Sequence, residues 1–169
     1  ISALIGAKNN SNAKIICIDI NNERLVDAIN LGADYVLNPN KNNLFDSINK
    51  MTNGNMLDLL VECSGSIIGL NSSLKLINNC GLVKFATHPK QGDLLLIDPF
   101  ELIKGKKIEG SWGGGINPDH DLEEIINKID KNVTFIKMMN QDIYELEDIN
   151  IAIKDMITGK VLRPIIQMV

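Results

Sequence analysis

Lys14-Ile15-Ile16-Cys17-Ile18-Asp19, followed by Ile20-Asn21-Asn22-Glu23-Arg24, is an apolar run closed by a carboxylate and a polar turn. An unbroken apolar run of this length suits a strand buried on both faces, as in a parallel sheet covered by helices. Beyond the turn, Leu25, Ala28, Ile29 and Leu31 recur at roughly helical spacing, with Gly32 placed to stop the helix, so residues 23–31 are expected to be helical. A carboxylate at the carboxyl end of a strand stands in the crevice where open α/β sheets bind ligands. There it accepts hydrogen bonds from both hydroxyls of an adenosine ribose. Asp19 is read in that role, the alternative being an ordinary N-cap or turn aspartate.

The same alternation continues outward from this unit. Before it, residues 1–8 read as an apolar helix without an N-cap, so the chain is expected to begin inside a larger element. After it come a short strand at 34–37, a helix at 41–52 on Leu44, Phe45, Ile48 and Met51, and a strand at 57–61 whose loop is Glu62-Cys63-Ser64-Gly65. A helix at 67–78 on Leu70, Leu74 and Ile77 leads through Gly81 into a strand at 82–86. Strand starts near 14, 34, 57, 82 and 106 have the spacing of successive βα units, which implies a doubly wound parallel sheet. Beyond Ala86 the pattern loosens into a short apolar run at 94–97 and a brief helix at 99–104. A strand then runs from Ile108 into Gly113-Gly114-Gly115, and a helix at 119–129 follows with an acidic first turn. A helix at 147–158 stopped by Gly159 and a strand at 162–169 close the chain.

A net charge of −4 argues against nucleic acid or an anionic membrane surface as partner, since both favour basic patches. No apolar run approaches the roughly 20 residues that span a bilayer. Cys17, Cys63 and Cys80 lie in or beside apolar runs, which reads as buried, reduced thiols in a cytoplasmic protein. Neither a CxxC nor an HxxxH spacing occurs, so no metal site and no catalytic group is assigned within these 169 residues.

Taken in order, the acidic strand end with its polar turn, Leu31-Gly32-Ala33-Asp34, Asp58-Leu59-Leu60-Val61-Glu62-Cys63-Ser64-Gly65, Ile108-Glu109-Gly110-Ser111-Trp112-Gly113-Gly114 and the terminal Gly159-Lys160-Val161-Leu162-Arg163-Pro164 resemble the medium-chain dehydrogenases of the zinc alcohol dehydrogenase group. The resemblance covers essentially the whole chain. It implies a Rossmann-type domain lacking its first, central strand and glycine-rich loop, with residues 1–140 binding NAD and 141–169 returning towards an absent catalytic domain that would hold the zinc. It implies an NAD-dependent alcohol or polyol dehydrogenase acting on a small alcohol or aldehyde, assembled as a homodimer or tetramer. As it stands, this stretch is expected to be inactive, poorly folded alone and a weak binder of NAD.

By the same resemblance, Asp19 and Arg24 would touch the adenosine ribose, with Asp19 favouring NAD over NADP. Ser64 and Gly65 would lie along the adenosine half. Ala86, Thr87 and His88 would pack near the nicotinamide, Ser111, Trp112 and Gly113 would hold its carboxamide, and Arg163 would reach the pyrophosphate. His88 is read as a ring contact and not as a base, because the family's proton relay lies in the absent domain. His120 is read as part of a helix start. Rival readings are a truncated, non-catalytic remnant or nucleotide-binding module, a zinc-free quinone-reductase-like oxidoreductase, and an S-adenosylmethionine methyltransferase, which the Arg163 strand and the glycine run fit poorly.

Overall fold

The structure is a computed structural model that describes residues 1–130, 136–138 and 142–168. The expected α/β architecture with parallel strands is what the chain adopts. In order it runs α1 (Ser2–Asn10), β1 (Ile16–Ile18), α2 (Asn22–Asn30), β2 (Tyr35–Leu37), α3 (Leu44–Met51), β3 (Leu57–Glu62), α4 (Ile67–Ser73) and β4 (Ile77–Phe85). There follow α5 (Pro99–Ile103), β5 (Lys107–Gly110), a 3-10 turn at Gly113–Gly115, α6 (Pro118–Asp130), β6 (Ile143–Glu145), a 3-10 turn at Leu146–Asp148, α7 (Ile149–Ile157) and β7 (Ile165–Gln167). The chain forms two compact units, one of residues 1–36 and 118–169, the other of residues 37–117. The division expected at 140/141 falls outside the described residues.

In the unit of residues 37–117, β3, β4 and β5 form a parallel sheet in that order. Helix α3 starts where Asn43 accepts a hydrogen bond from the Asp46 N–H, and it buries Ile48 completely. Helix α4 is capped by Ser66, whose hydroxyl accepts from the Gly69 N–H, and its inner face carries Leu70 and Leu74 onto Ile77 and Val83 of β4. Asp98 caps α5, with Pro99 at the first helical position, where its missing N–H costs nothing.

In the unit of residues 1–36 and 118–169, Leu4 and Ile5 of α1 pack with Ala28, Leu31 and Ala33 around β1 and β2, which are hydrogen-bonded neighbours. Asn21 caps α2 by accepting from the Glu23 N–H at 2.8 Å, and Gly32, at φ 95°, ends that helix as expected. Helix α1 has no side-chain cap, also as expected. Strands β6 and β7 pair in parallel, with α7 between them in sequence.

Four expectations are corrected. The helix read at 67–78 stops at Ser73, and β4 begins at Ile77 instead of 82. Leu74 and Ile77 satisfy a helical period, but Ile77 pairs with Leu57 and the next pairing is Leu59 with Leu82, so the asparagine stretch between is absorbed as an irregularity in the strand. Strand β1 is only half-buried, since among the described residues it has one strand neighbour, β2. Cys63 and Cys80 are exposed and Cys17 is partly buried, since the first two lie past a strand end and in that irregular segment; all three are free thiols. Strand β6 had no sequence signal, and the closing strand shrinks to Ile165–Gln167.

Candidate functional site at the carboxyl ends of the strands

In the unit of residues 37–117, register sets the candidate site. Glu62 lies opposite Phe85, and Phe85 opposite Gly110, so the carboxyl ends of β3, β4 and β5 are level. The ladder extends one residue further, with the Ala86 N–H donating to the Glu62 carbonyl at 3.3 Å and the Ser111 N–H to the Phe85 carbonyl at 2.8 Å. The loops holding Ser64, Ala86, His88, Ser111, Trp112 and Gly113 therefore leave the sheet along one edge, as ligand-binding loops of open α/β sheets do. His88 and Trp112 meet edge to face, their ring centroids 5.1 Å apart and their planes at 86°. Trp112 is 84% exposed, which excludes a core-packing role within this chain. The three glycines after it all have positive φ, a left-handed path that other residues adopt with strain.

Sequence reasoning placed Glu62 in a loop, whereas it is the last residue of β3 and is buried. Its carboxylate accepts from the Ser64 N–H at 2.8 Å, the Ser64 hydroxyl, the Gly65 N–H at 3.3 Å and the Thr87 hydroxyl at 2.9 Å. Burial pushes Glu62 up, but the Ser64, Thr87 and Gly65 donors outweigh it and hold the carboxyl below its ordinary range. Sequence alternation gave no signal for it: Glu62 shares a phase with Asp58 and Leu60, opposite the apolar Leu57, Leu59 and Val61, so its burial shows only in the folded chain.

The unit that carries β1 holds its own set of candidate residues. Asp19 is one residue past β1, and its Oδ1 accepts from the Asn21 N–H at 2.8 Å. The turn use of this aspartate is thus real, but it engages one oxygen and leaves acceptor capacity on the other. Arg24 is tied down: its Nη2 donates to the Gly159 carbonyl at 3.2 Å and its Nη1 lies 3.7 Å from Asp27 Oδ2. A Cβ at Gly159 would stand 3.4 Å from Asn21 Nδ2. The corner holding Asp19 and Arg24 is accordingly joined to the turn after α7, and four residues on from Gly159 comes the exposed Arg163.

Among the described residues no cluster of three or more His, Cys, Asp or Glu side chains is arranged to hold a metal ion. A shallow concavity of ≈ 380 Å³ lies along α6 beside His120, Glu123 and Lys128. It is a furrow on one helix and holds none of the residues above. No helix among the described residues is long and apolar enough to cross a membrane.

Residues 1–131 match the family model described as zinc-binding dehydrogenase. Alcohol dehydrogenase 1 of Pisum sativum is 26% identical over 171 residues, covering 99% of this chain and 45% of the relative. Alcohol dehydrogenase class-2 isozyme 2 of Oryctolagus cuniculus is 29% identical over 172 residues, covering 98% and 44%. The crystal structure of benzyl alcohol dehydrogenase from Acinetobacter calcoaceticus superposes with a TM-score of 0.91 at 27% identity, covering 99% of this chain and 46% of that one. The chain thus spans less than half the length of the relatives it matches. With an α/β fold of parallel strands, loops gathered at their carboxyl ends and a family match over residues 1–131, the chain belongs to the zinc-binding dehydrogenase family.

Proposed function

We propose that this chain is the cofactor-binding part of an NAD-dependent, zinc-type alcohol dehydrogenase that interconverts a small alcohol and its carbonyl product. When bound, NAD supplies the hydride acceptor, and the protein's part is to bind and orient it. The residues fit that group. Asp19 accepts the adenosine ribose hydroxyls and repels a 2′-phosphate, while Arg24 braces the same corner through Gly159. Arg163, exposed and with a planar fork of donors, meets the pyrophosphate. Ser64 borders the adenosine half. The backbone at Ala86 and at Ser111 to Gly113 holds the carboxamide, and the His88–Trp112 pair borders the nicotinamide ring. The zinc and the alcohol pocket belong to the part of the relatives that this chain does not match. A homodimer or tetramer through β5, an outer strand of its sheet, completes the reading, for a cytoplasmic enzyme with free cysteines.

The observation that carries the proposal is Asp19, held by the Asn21 turn at the end of β1 in a family of dehydrogenases. Calorimetric titration of the protein expressed from its complete coding sequence tests it. Saturable NAD binding with NADP weaker by about tenfold or more is expected. Equal affinity for the two, or preference for S-adenosylmethionine, would refute the reading.

A further inference from the structure

We propose that Glu62 is a positioning residue that latches the loop after β3 to the segment after β4 and so sets the affinity of the site for the nicotinamide half of its cofactor. The inference rests on the cofactor reading above and adds a residue to it. Glu62 as a residue is only 7% exposed, so its part-buried carboxylate carries a desolvation cost, and buried charges are ordinarily matched by a cation. Among the described residues, the hydrogen-bond partners of Glu62 are instead neutral donors, and they come from two separate loops. Two backbone N–H groups and one hydroxyl belong to Ser64 and Gly65, and the fourth donor is the Thr87 hydroxyl, 25 positions away in sequence.

The geometry distinguishes this arrangement from a local turn. Gly65, at φ 71°, aims its N–H back at Glu62 Oε2, the oxygen that also accepts from Thr87. The Thr87 side chain lies 3.7 Å from where a Cβ on Gly65 would stand, so the two loops are packed as well as hydrogen-bonded. The Ser64 hydroxyl donates to the other oxygen and accepts at 3.0 Å from the N–H of Ser66, the cap residue of α4. Thr87 lies between Ala86 and His88, so the latch fixes the path of the backbone that would face the nicotinamide. Thr87→Val cuts the latch while the Ser64 and Gly65 bonds to Glu62 stay in place, and in Glu62→Gln the amide oxygen still accepts from Ser64, whereas Thr87 loses its carboxylate anchor in both. The nicotinamide side is therefore where the effect concentrates.

The test compares NAD with ADP-ribose, which lacks the nicotinamide, in Glu62→Gln, Thr87→Val and the double variant of the protein expressed from its complete coding sequence. NAD binding is expected to weaken on the order of tenfold in each single variant, with no further loss in the double variant. ADP-ribose is expected to stay within about threefold of the unaltered protein, and Thr87→Ser, which restores the hydroxyl, should recover NAD binding. Additive losses, equal weakening of both ligands, failure of the serine to rescue, or no change would each overturn the latch. If Glu62→Gln does not fold, the contrast between Thr87→Val and Thr87→Ser decides the matter in the same way. If the unaltered protein binds neither ligand, the cofactor reading itself fails, an outcome distinct from ligand binding that the variants leave untouched.

Discussion

Glu101 lies in the first turn of α5 between two lysines, with Lys104 Nζ 2.7 Å from one carboxylate oxygen and Lys106 Nζ 2.5 Å from the other. Hydrogen bonds from Lys104 and then Lys106 outweigh burial and hold Glu101 at about 2 instead of its ordinary 4.5. A carboxyl whose folded value is depressed stabilises the fold above its unfolded value and loses that contribution as pH falls through the folded one. The contribution is therefore present at neutral pH and fades between about 4.5 and about 2. Lys106 is nearly buried and also donates to the Leu74 carbonyl at 2.6 Å, so Glu101→Gln leaves a desolvated ammonium without its countercharge. Urea unfolding should place the variant about 1–3 kcal/mol below the unaltered protein at pH 7, with the gap closing towards pH 2. Asp19→Asn keeps the turn acceptor but removes the charge. It should weaken NAD by about tenfold and narrow the preference over NADP, read by calorimetry.

Strand β4 and its neighbours show where sequence periodicity misleads. Leu70, Leu74 and Ile77 share one core cluster, as a helix at 67–78 would require, yet the chain changes from helix to strand among them. A period of three or four residues marks which side chains face a core and says nothing about whether the last of them arrives on a helix or on a strand. What enforces the switch is pairing: the Leu57 N–H donates to the Leu76 carbonyl, and Asn78 donates to Asp58 while accepting from the Cys80 N–H. Gly81 is the residue this path cannot replace. A Cβ there would stand 2.8 Å from Ile77 Cβ and 2.9 Å from the Leu57 carbonyl oxygen, closer than real contacts allow. Gly81→Ala should cost about 1–3 kcal/mol in denaturant unfolding, because the nearest atoms are a branched side chain and backbone. A small effect would mean that the β3–β4 pairing is looser than its register suggests.

For the complete protein, binding of NAD to the folded state alone should raise the melting temperature with ligand concentration. At about 100 times the dissociation constant the gain is about 2.7 kcal/mol, several degrees for a protein of this class. NADP at the same concentration should shift it far less, since Asp19 faces the ribose. Sedimentation should report a dimer or tetramer. Charge reversal at Lys107 and Glu109, which are exposed on β5, should shift it towards the monomer.

The alternation of strand and helix, the helix stop at Gly32 and the position of Asp19 at a strand end were all legible in the sequence. They depend on neighbours within a few residues, and hydrophobic period and turn chemistry report such neighbours directly. Family motifs extended that reading to Ala86, Ser111 and Arg163. Glu62 was missed because its value as a latch comes from Thr87, and the contact exists only once β3 and β4 lie in register with their carboxyl ends level. The His88–Trp112 contact and the tie from Arg24 to Gly159 have the same origin, across 24 and 135 positions of chain. Long-range pairing of this kind leaves no periodic trace in the sequence, so it is folding that brings such residues together.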